Sequence, residues 1–481
     1  MMILESIGAL LPLFLISGST SVLAFQSTPY TFHSLRNTPV CQRLSDITQI
    51  SSQPEGFDSK SIDQQQVEFN LHPSMSSISA TSWDSFRAPD GLSPFLEHAF
   101  LLSLEGVSLL LLSLLSKYRI SCMISLKLVC SPFSLTQMSY SFLQYPEDSN
   151  CVSPETGWIP QHVSMKIDGS IRAYVPMYVK SHSMGEFIFD NGWAEAAYQN
   201  GIQYYPKLLV GVPFTPVSGG RIIFHPEILE NYSSQCIAEL RALIVRFLKQ
   251  IALSNKISSV HLNFITHDEA TDISEPLSEP SPDSEEKLNG RVQTMLDQLT
   301  QDKNDYLRRT SMQYHWKNIN AKSGQPYQSF EDYLSSFKSK RRISIRRERR
   351  SVMEEKGIRI DVVVGEDILL YDGLVERMFD VYLSTVNMFS GRQYLSRRFF
   401  QMLAKSTFIK NMCFMCVRQV DSGEKLKAED VFAGTINIVK DGVFYGRYWG
   451  CLPGKEVKNL HFETCYWAVS STNFQLWISP L

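Results

Sequence analysis

Residues 183–194 read SMGEFIFDNGWA, which sets two acids, Glu186 and Asp190, inside a run of aromatic and β-branched side chains otherwise suited to burial. Taken as a β-strand, GEFIFD alternates, so Glu186, Ile188 and Asp190 share one face while Phe187 and Phe189 take the other. Two carboxylates on one face can hold an amine and take its proton, with burial raising one of them toward neutrality. The competing assignment is structural: Glu186 pairs with a base such as Lys180, Lys207 or Arg221, and Asp190 caps a helix starting near Trp193. Trp193 is itself a candidate substrate contact.

Other stretches carry chemistry of different kinds. In SKRRISIRRERR, read as a helix, Arg342, Arg346 and Arg350 stack at four-residue spacing, and arginine forks suit phosphate. Donor phosphates, tRNA and acidic lipid head groups all fit such a stripe; so does a solvated face, with Glu348 relieving the crowding of like charges. In VPFTPVSGGR, Gly219 and Gly220 give a loop whose backbone can approach a ligand, followed by Arg221. In YGRYWG, strand alternation puts Tyr445, Arg447 and Trp449 on one face. There is no G-x-S-x-G, no cysteine with a credible local partner, and no metal-ligand spacing among the ten histidines. Cys413 and Cys416 form a lone C-x-x-C, but in the strand-like MCFMCVRQV they face opposite sides, so no metal site is expected.

These residues sit in a chain of 481 residues, long enough for two or three domains, with 43% apolar and 20% charged residues. A formal net charge of −3 argues against a general polyanion binder. Nine scattered cysteines do not make a disulfide framework and favour a reducing compartment. Residues 1–90 read as a leader and a disordered linker. LLPLFLISG has signal-peptide character, with Ser21 and Ala24 before a cut, and residues 25–43 lack acids while Ser, Thr, His and Arg recur. Such a bipartite leader resembles those addressing complex algal plastids; the alternative is a secretory signal followed by a spacer. Lys117, Arg119 and Lys127 interrupt the apolar stretch after residue 107 before it reaches the roughly 18–20 residues a spanning helix needs, so no stable membrane span is expected.

From residue 156 onward the pattern is mixed α/β. Two alternating runs meet at Asp168-Gly169, a hairpin signal, and Asp441-Gly442 joins two more. Ile237, Leu240, Ile244, Phe247, Leu248 and Ile251 repeat at helical spacing, and residues 327–357 read as one helix. Residues 268–286 hold eight acids and no base amid Ser and Pro, which predicts a disordered loop over 268–304. Strand, Asp-Gly, strand and an aromatic strand leading to a helix occur twice in outline, an internal repeat with halves at 91–320 and 321–481.

The segments TGWIPQHV, KSHSMGEFIFDNGWAEAAYQNGIQYYPKLLVGVPFTPVSGGRI, QYHWKN, KRRISIRRERR, YLSRRFF and YGRYWGCLPGKEVKNLHFETCY resemble, in order, the signature segments of a FemAB-like family of the peptidoglycan biosynthesis/recognition type, in the acyl-CoA N-acyltransferase superfamily. The resemblance runs from about residue 93 to 466. It implies a pair of acetyltransferase-like (GNAT) α/β folds, of the α+β kind, moving an acyl or aminoacyl group from acyl-CoA or aminoacyl-tRNA to an amine on a small molecule, peptide or glycopeptide. No cofactor is bound permanently in such a scheme; it needs a donor site, N–H groups aimed at the oxyanion and a base. The resemblance also makes Tyr445, Arg447 and Trp449 substrate contacts, and His461 or Glu463 a proton acceptor. The alternatives are a non-catalytic recognition module of the same fold and an inactive product of a faulty gene model.

Two segments depart from the family pattern, 107–150 and the residues after about 467, and both open near Val-Ser. Translated splice donors often give that dipeptide, so retained introns are expected, and the second sheet would then lack strands and expose a bare edge. Sequencing the transcript checks this: a cDNA encoding both segments refutes it.

Overall fold

A computed structural model describes residues 2–4, 67–86, 91, 93–105, 149–274, 306–310, 312–389 and 393–469. The leader after residue 4, all but the end of the 107–150 segment, the acidic stretch after residue 274 and the tail after residue 469 lie outside the described residues.

The first lobe begins earlier than expected. VEFNLH alternates apolar and polar, and Val67–His72 forms strand β1 with Val67 and Phe69 turned inward. The helix Ala80–Asp84 follows, burying Trp83, whose Nε1 donates to the Leu96 carbonyl at 2.7 Å. The disordered-linker assignment within 1–90 therefore fails for these residues, because a Ser/Gln-rich background hid a short period-2 run. Helix α1, His98–Glu105, is almost wholly buried. The chain leaves the described body after Glu105 and re-enters at Ser149, whose hydroxyl donates to the Ser103 and Leu104 carbonyls. The lobe's packing thus closes across that gap.

Strands β2 (Trp158–Pro160) and β3 (His162–Ile167) form one arm of a hairpin, and β4 (Ser170–Val175) and β5 (Met177–Lys180) the other. Asp168 and Gly169 make the turn with φ 51° and 76°, which only a few residue types tolerate. Helix α2 (Asn191–Gln199) leads to β6 (Lys207–Val210), antiparallel to β5. β7 (Ile223–Phe224) continues the same edge against β4. The fourth strand is therefore split, and residues 211–222 leave the sheet as an excursion. Helix α3 (Ser234–Ser254) lays its apolar stripe, including Ile244, Phe247, Leu248 and Ile251, over the sheet, and β8 (Val260–Leu262) closes it parallel to β6. Helix α4 (His267–Ser274) corrects the disordered-loop reading over its own length, since Glu269 is buried there and accepts the Arg221 and Ile222 amides.

In the second lobe, β9 (Tyr314–Trp316) precedes α5 (Phe330–Ser335) and α6 (Ser339–Arg350), so the single helix expected over 327–357 breaks at residues 336–338. A π-helical turn, Ser351–Glu355, extends α6. Then come β10 (Ile358–Val364), α7 (Leu374–Phe389), α8 (Arg397–Lys405), β11 (Met412–Gln419), β12 (Ala433–Lys440) and β13 (Val443–Cys451). β10 to β13 pair antiparallel in order, and Met2–Leu4 lies parallel to β13 along Phe444–Gly446. The edge expected to be bare is paired over those residues, and β9 pairs with Met2–Leu4 in turn.

The pairing order is similar in both lobes: in the first it is spread over two four-stranded sheets, β1-β3-β4-β7 and β2-β5-β6-β8, with β8 parallel to β6, and in the second β10 to β13 run antiparallel with Met2–Leu4, from the start of the chain, parallel to β13. The Asp-Gly turns are not equivalent within it. Asp168-Gly169 joins the second and third strands, Asp441-Gly442 the third and fourth, because the dipeptide suits any two-residue hairpin and marks no particular one.

The lobes are welded together. Phe95 and Phe100 meet Tyr445, Phe399 and Phe408 edge-on or tilted at 5.1–5.7 Å. Buried Glu97 accepts Asn411 Nδ2 at 3.0 Å and pairs with Lys440 Nζ at 2.8 Å. Within the second lobe, Gly450 lets α7 lie against the sheet: a Cβ there would stand 1.8 Å from the Val381 carbonyl oxygen. Gly450→Ala should therefore cost about 3 kcal/mol or more by overpacking, read as a lowered urea midpoint.

Candidate functional site

The segment carrying the two acids is an irregular loop after β5 and not a strand. Gly185, Phe187 and Phe189 adopt φ of 81°, 59° and 51°, so strand alternation does not apply. The left-handed residues nonetheless bring both carboxylates inward. Phe187 meets Tyr394 of the second lobe, Phe189 is 82% exposed, and Glu186 and Asp190 are buried.

Both acids converge on Lys207, the first residue of β6. Its Nζ lies 2.6 Å from Ser183 Oγ, 2.8 Å from Asp190 Oδ2 and 2.9 Å from Glu186 Oε2, the last close enough to pair by charge but not aligned as a hydrogen bond. Tyr204 OH donates to Asp190 Oδ2 and Tyr205 OH to Ser183 Oγ, each at 2.8 Å. Lys180 faces Lys207 directly across the β5–β6 ladder; its Nζ donates to the Met184 carbonyl at 3.3 Å and lies 3.5 Å from the Trp158 ring centre. Two lysines and two carboxylates thus share one buried cluster. Neither oxygen of Glu186, nor Oδ1 of Asp190, has a hydrogen-bond partner among the described residues.

The environment separates the groups. Burial pushes the Glu186 carboxyl above its ordinary value, more than the charges of Lys207 and Lys180 pull it down. Burial acts on Asp190 too, but hydrogen bonds from Lys207 and Ser183, the Lys207 charge and the Tyr204 hydroxyl hold it below the ordinary value. Burial drives Lys180 well below a normal ammonium, with Glu186 opposing and Lys207 assisting. His261 on β8 falls to about 4, chiefly by burial and then by Lys207, so its imidazole is neutral. Tyr205 rises to about 12 by burial, with Asp190 and Glu186 adding to the rise.

Several sequence expectations need correction. Asp190 stands at the start of α2, but its side chain makes no cap; its backbone carbonyl accepts the Trp193 and Ala194 amides while the carboxylate turns to Lys207. Trp193 is exposed on α2, 5.8 Å from the Arg309 guanidinium. Arg221 does not face a ligand: buried, it donates to the Gly219, Val217 and Asn263 carbonyls and braces the excursion containing Gly219 and Gly220. The arginine stripe is partly consumed. Arg342 donates to the Phe337 carbonyl at 2.7 Å and Arg346 pairs with Glu331, while Arg350 is exposed.

A bulge overturns the shared face in β13. Ile436 pairs with Tyr448 and Asn437 with Gly446, which leaves Arg447 as the extra residue and reverses the parity beyond it. Tyr445 and Tyr448 accordingly pack on the boundary between the lobes, and Trp449 on the other side, 5.3 Å from the His461 ring. Glu463 is held by Arg349, whose Nε lies 3.1 Å from both carboxylate oxygens, and burial nevertheless keeps its carboxyl above the ordinary value. His461 is lowered by burial. Cys413 and Cys416 pack in separate apolar clusters. Among the described residues no group of His, Cys, Asp and Glu is placed to hold a metal ion, and no helix is long and apolar enough to cross a membrane.

Comparison with known proteins decides the family. A model described as FemAB-like, peptidoglycan biosynthesis/recognition, matches residues 128–474, well over half of the chain. The chain belongs to the FemAB-like family. A search of the curated proteins gave no match. The match begins within the 107–150 segment and runs past Tyr466. For this FemAB-like chain, membership implies peptidoglycan-related aminoacyl transfer as a class and leaves donor and acceptor unassigned.

The cluster makes the FemAB-like lobe depend on Lys207. Lys207→Met leaves two buried carboxylates without their cation and should cost about 3–5 kcal/mol at neutral pH. Asp190, depressed in the folded state, contributes stability above its unfolded value that is lost as pH falls through its folded value. The gap between wild type and Lys207→Met should therefore narrow as pH drops through the carboxylate range, measured by urea denaturation at several pH values.

Proposed function

We propose that this chain is an N-acyltransferase in which Glu186 takes the proton of an acceptor amine and Asp190 orients that amine. The observation that carries this reading is the pair of buried carboxylate oxygens, Glu186 Oε1 and Asp190 Oδ1, that no group among the described residues satisfies, beside a carboxyl whose affinity for protons burial has raised. Asp190, held by Lys207 and Tyr204, stays ionised and attracts an ammonium; Glu186, poised higher, accepts the proton. The amine nitrogen then attacks the acyl carbonyl: a C–N bond forms and the C–S bond of an acyl-CoA, or the C–O bond of an aminoacyl-tRNA, breaks. The departing thiolate or ribose oxygen takes the second proton that the nitrogen loses on forming the amide, Glu186 returns the first to solvent, and no covalent enzyme intermediate is required. For donor phosphates, Arg350 on α6 is retained and the exposed Arg347 joins it in place of Arg342 and Arg346, since the latter two are engaged within the lobe.

The full-length chain, supplied with acyl-CoA or aminoacyl-tRNA and a panel of amines, should release CoA or deacylated tRNA only when an acceptor amine is present. Glu186→Gln should lower kcat by about 10²–10⁴ with KM little changed. In wild type the rate should climb with pH as Glu186 loses its proton, with a midpoint above the ordinary carboxylate value, and this acid limb should vanish in Glu186→Gln. Full turnover in the variant would sink the assignment. Tight ligand binding without release from any donor would assign the fold to recognition instead.

A further inference from the structure

The carboxylate loop of the first lobe is gripped from the second. Arg447, the extra residue of the β13 bulge, lies with its guanidinium 5.1 Å from the ring centres of both Phe95 and Tyr448. Its Nη2 donates to the Phe214 carbonyl at 2.7 Å and to Thr215 Oγ1 at 3.3 Å, reaching the excursion that splits the first lobe's fourth strand. Phe214 adopts φ 56°, and its amide donates to the Gly185 carbonyl at 3.1 Å, immediately before Glu186. The contact is tight: a Cβ on Gly185 would stand 2.6 Å from the Phe214 ring. Tyr394, also of the second lobe, stacks on Phe214 at 5.3 Å and meets Phe187 edge-on at 6.0 Å. Trp158, whose ring carries Lys180, contacts Phe214 at 5.3 Å.

We infer that Arg447 is a positioning residue: by fixing Phe214 it sets the backbone of residues 183–190 and with it the aim of Glu186 and Asp190. Each link is a backbone group or an interlocked ring, so little slack remains between the bulge of one lobe and the carboxylates of the other. The catalytic consequence rests on the reading of Glu186 as proton acceptor; the mechanical one does not.

Hydrogen exchange on the full chain separates the two. In Arg447→Met the amides of residues 183–190 should exchange about tenfold faster or more, while the β11–β12 ladder stays protected. Arg447→Lys, which keeps a donor for the Phe214 carbonyl, should restore part of the protection. If Arg447→Met does not fold, Tyr394→Leu loosens the same loop through its ring contacts and carries the test. In the enzyme assay the variant should lose kcat rather than KM, and its acid limb should move toward the ordinary carboxylate range as the loop opens to water. Unchanged exchange at 183–190 in the folded variants overturns the inference. So does faster exchange with an unaltered pH profile, where Glu186→Gln itself abolishes the limb. If wild type shows no Glu186-dependent limb, the base assignment falls, and the exchange result alone decides the positioning role.

Discussion

A buried ammonium between two buried carboxylates governs how the first lobe is built. Lys180 and Lys207 are direct neighbours on adjacent strands, and two like charges there would repel in a medium that screens poorly. The chain answers with an irregular loop instead of another strand, because only a backbone with left-handed residues can fold Glu186 and Asp190 back over the end of the ladder. Asp190 and Ser183 hold the Lys207 head, and the rings of Tyr204 and Tyr205 border it. Lys180 settles over Trp158 and gives up its proton readily. Neighbouring acid–base groups are thereby pushed apart, Glu186 upward and Asp190 and Lys180 downward.

The second lobe supplies constraint. Its contacts with the first include aromatic edges, the Glu97 bridge to Asn411 and Lys440, and the Arg447 bond to Phe214. At the boundary between the lobes Phe95, Phe100, Phe399, Phe400 and Tyr448 belong to one apolar core and line a small cavity within it. A packed boundary transmits a displacement instead of absorbing it. The fourth strand is irregular in both lobes, as an excursion in one and a bulge in the other, and these irregularities meet.

Much of this was legible in the residues. The Asp-Gly hairpins, the apolar stripe of α3, the existence of β11 to β13 and the family resemblance all rest on local patterns that tertiary structure did not override. Lys207 could be named as a partner for Glu186, but its simultaneous hold on Asp190 depends on a loop whose dihedrals no alternation rule anticipates. Arg221 and Arg342 looked like ligand-binding cations because a sequence shows charge and not burial; both are spent on backbone carbonyls. The bulge at Arg447 reversed the parity of β13, which separated Trp449 from Tyr445 and brought in Tyr448. β1 was hidden by its polar surroundings, and α4 by acids that, at Glu269, serve as buried acceptors for backbone amides.

The two lobes are similar in pairing order but not in chemistry. Each buries a glutamate beside a cation, Glu186 with Lys207 in the first and Glu463 with Arg349 in the second. The cations are not interchangeable. A guanidinium does not surrender its proton and grips both oxygens at once, so Glu463 is fixed in orientation and has its acceptor capacity largely used. An ammonium is a point donor; bonded to Ser183 and Asp190 and paired with Glu186 by charge alone, it leaves both Glu186 oxygens and one of Asp190 without a hydrogen bond among the described residues. The arginine pair anchors the start of the last described helical segment to α6, whereas the lysine cluster retains oxygens able to receive a proton. That chemical difference is why the proposed proton acceptor is Glu186 and not Glu463, with Arg447 proposed to hold its loop in register.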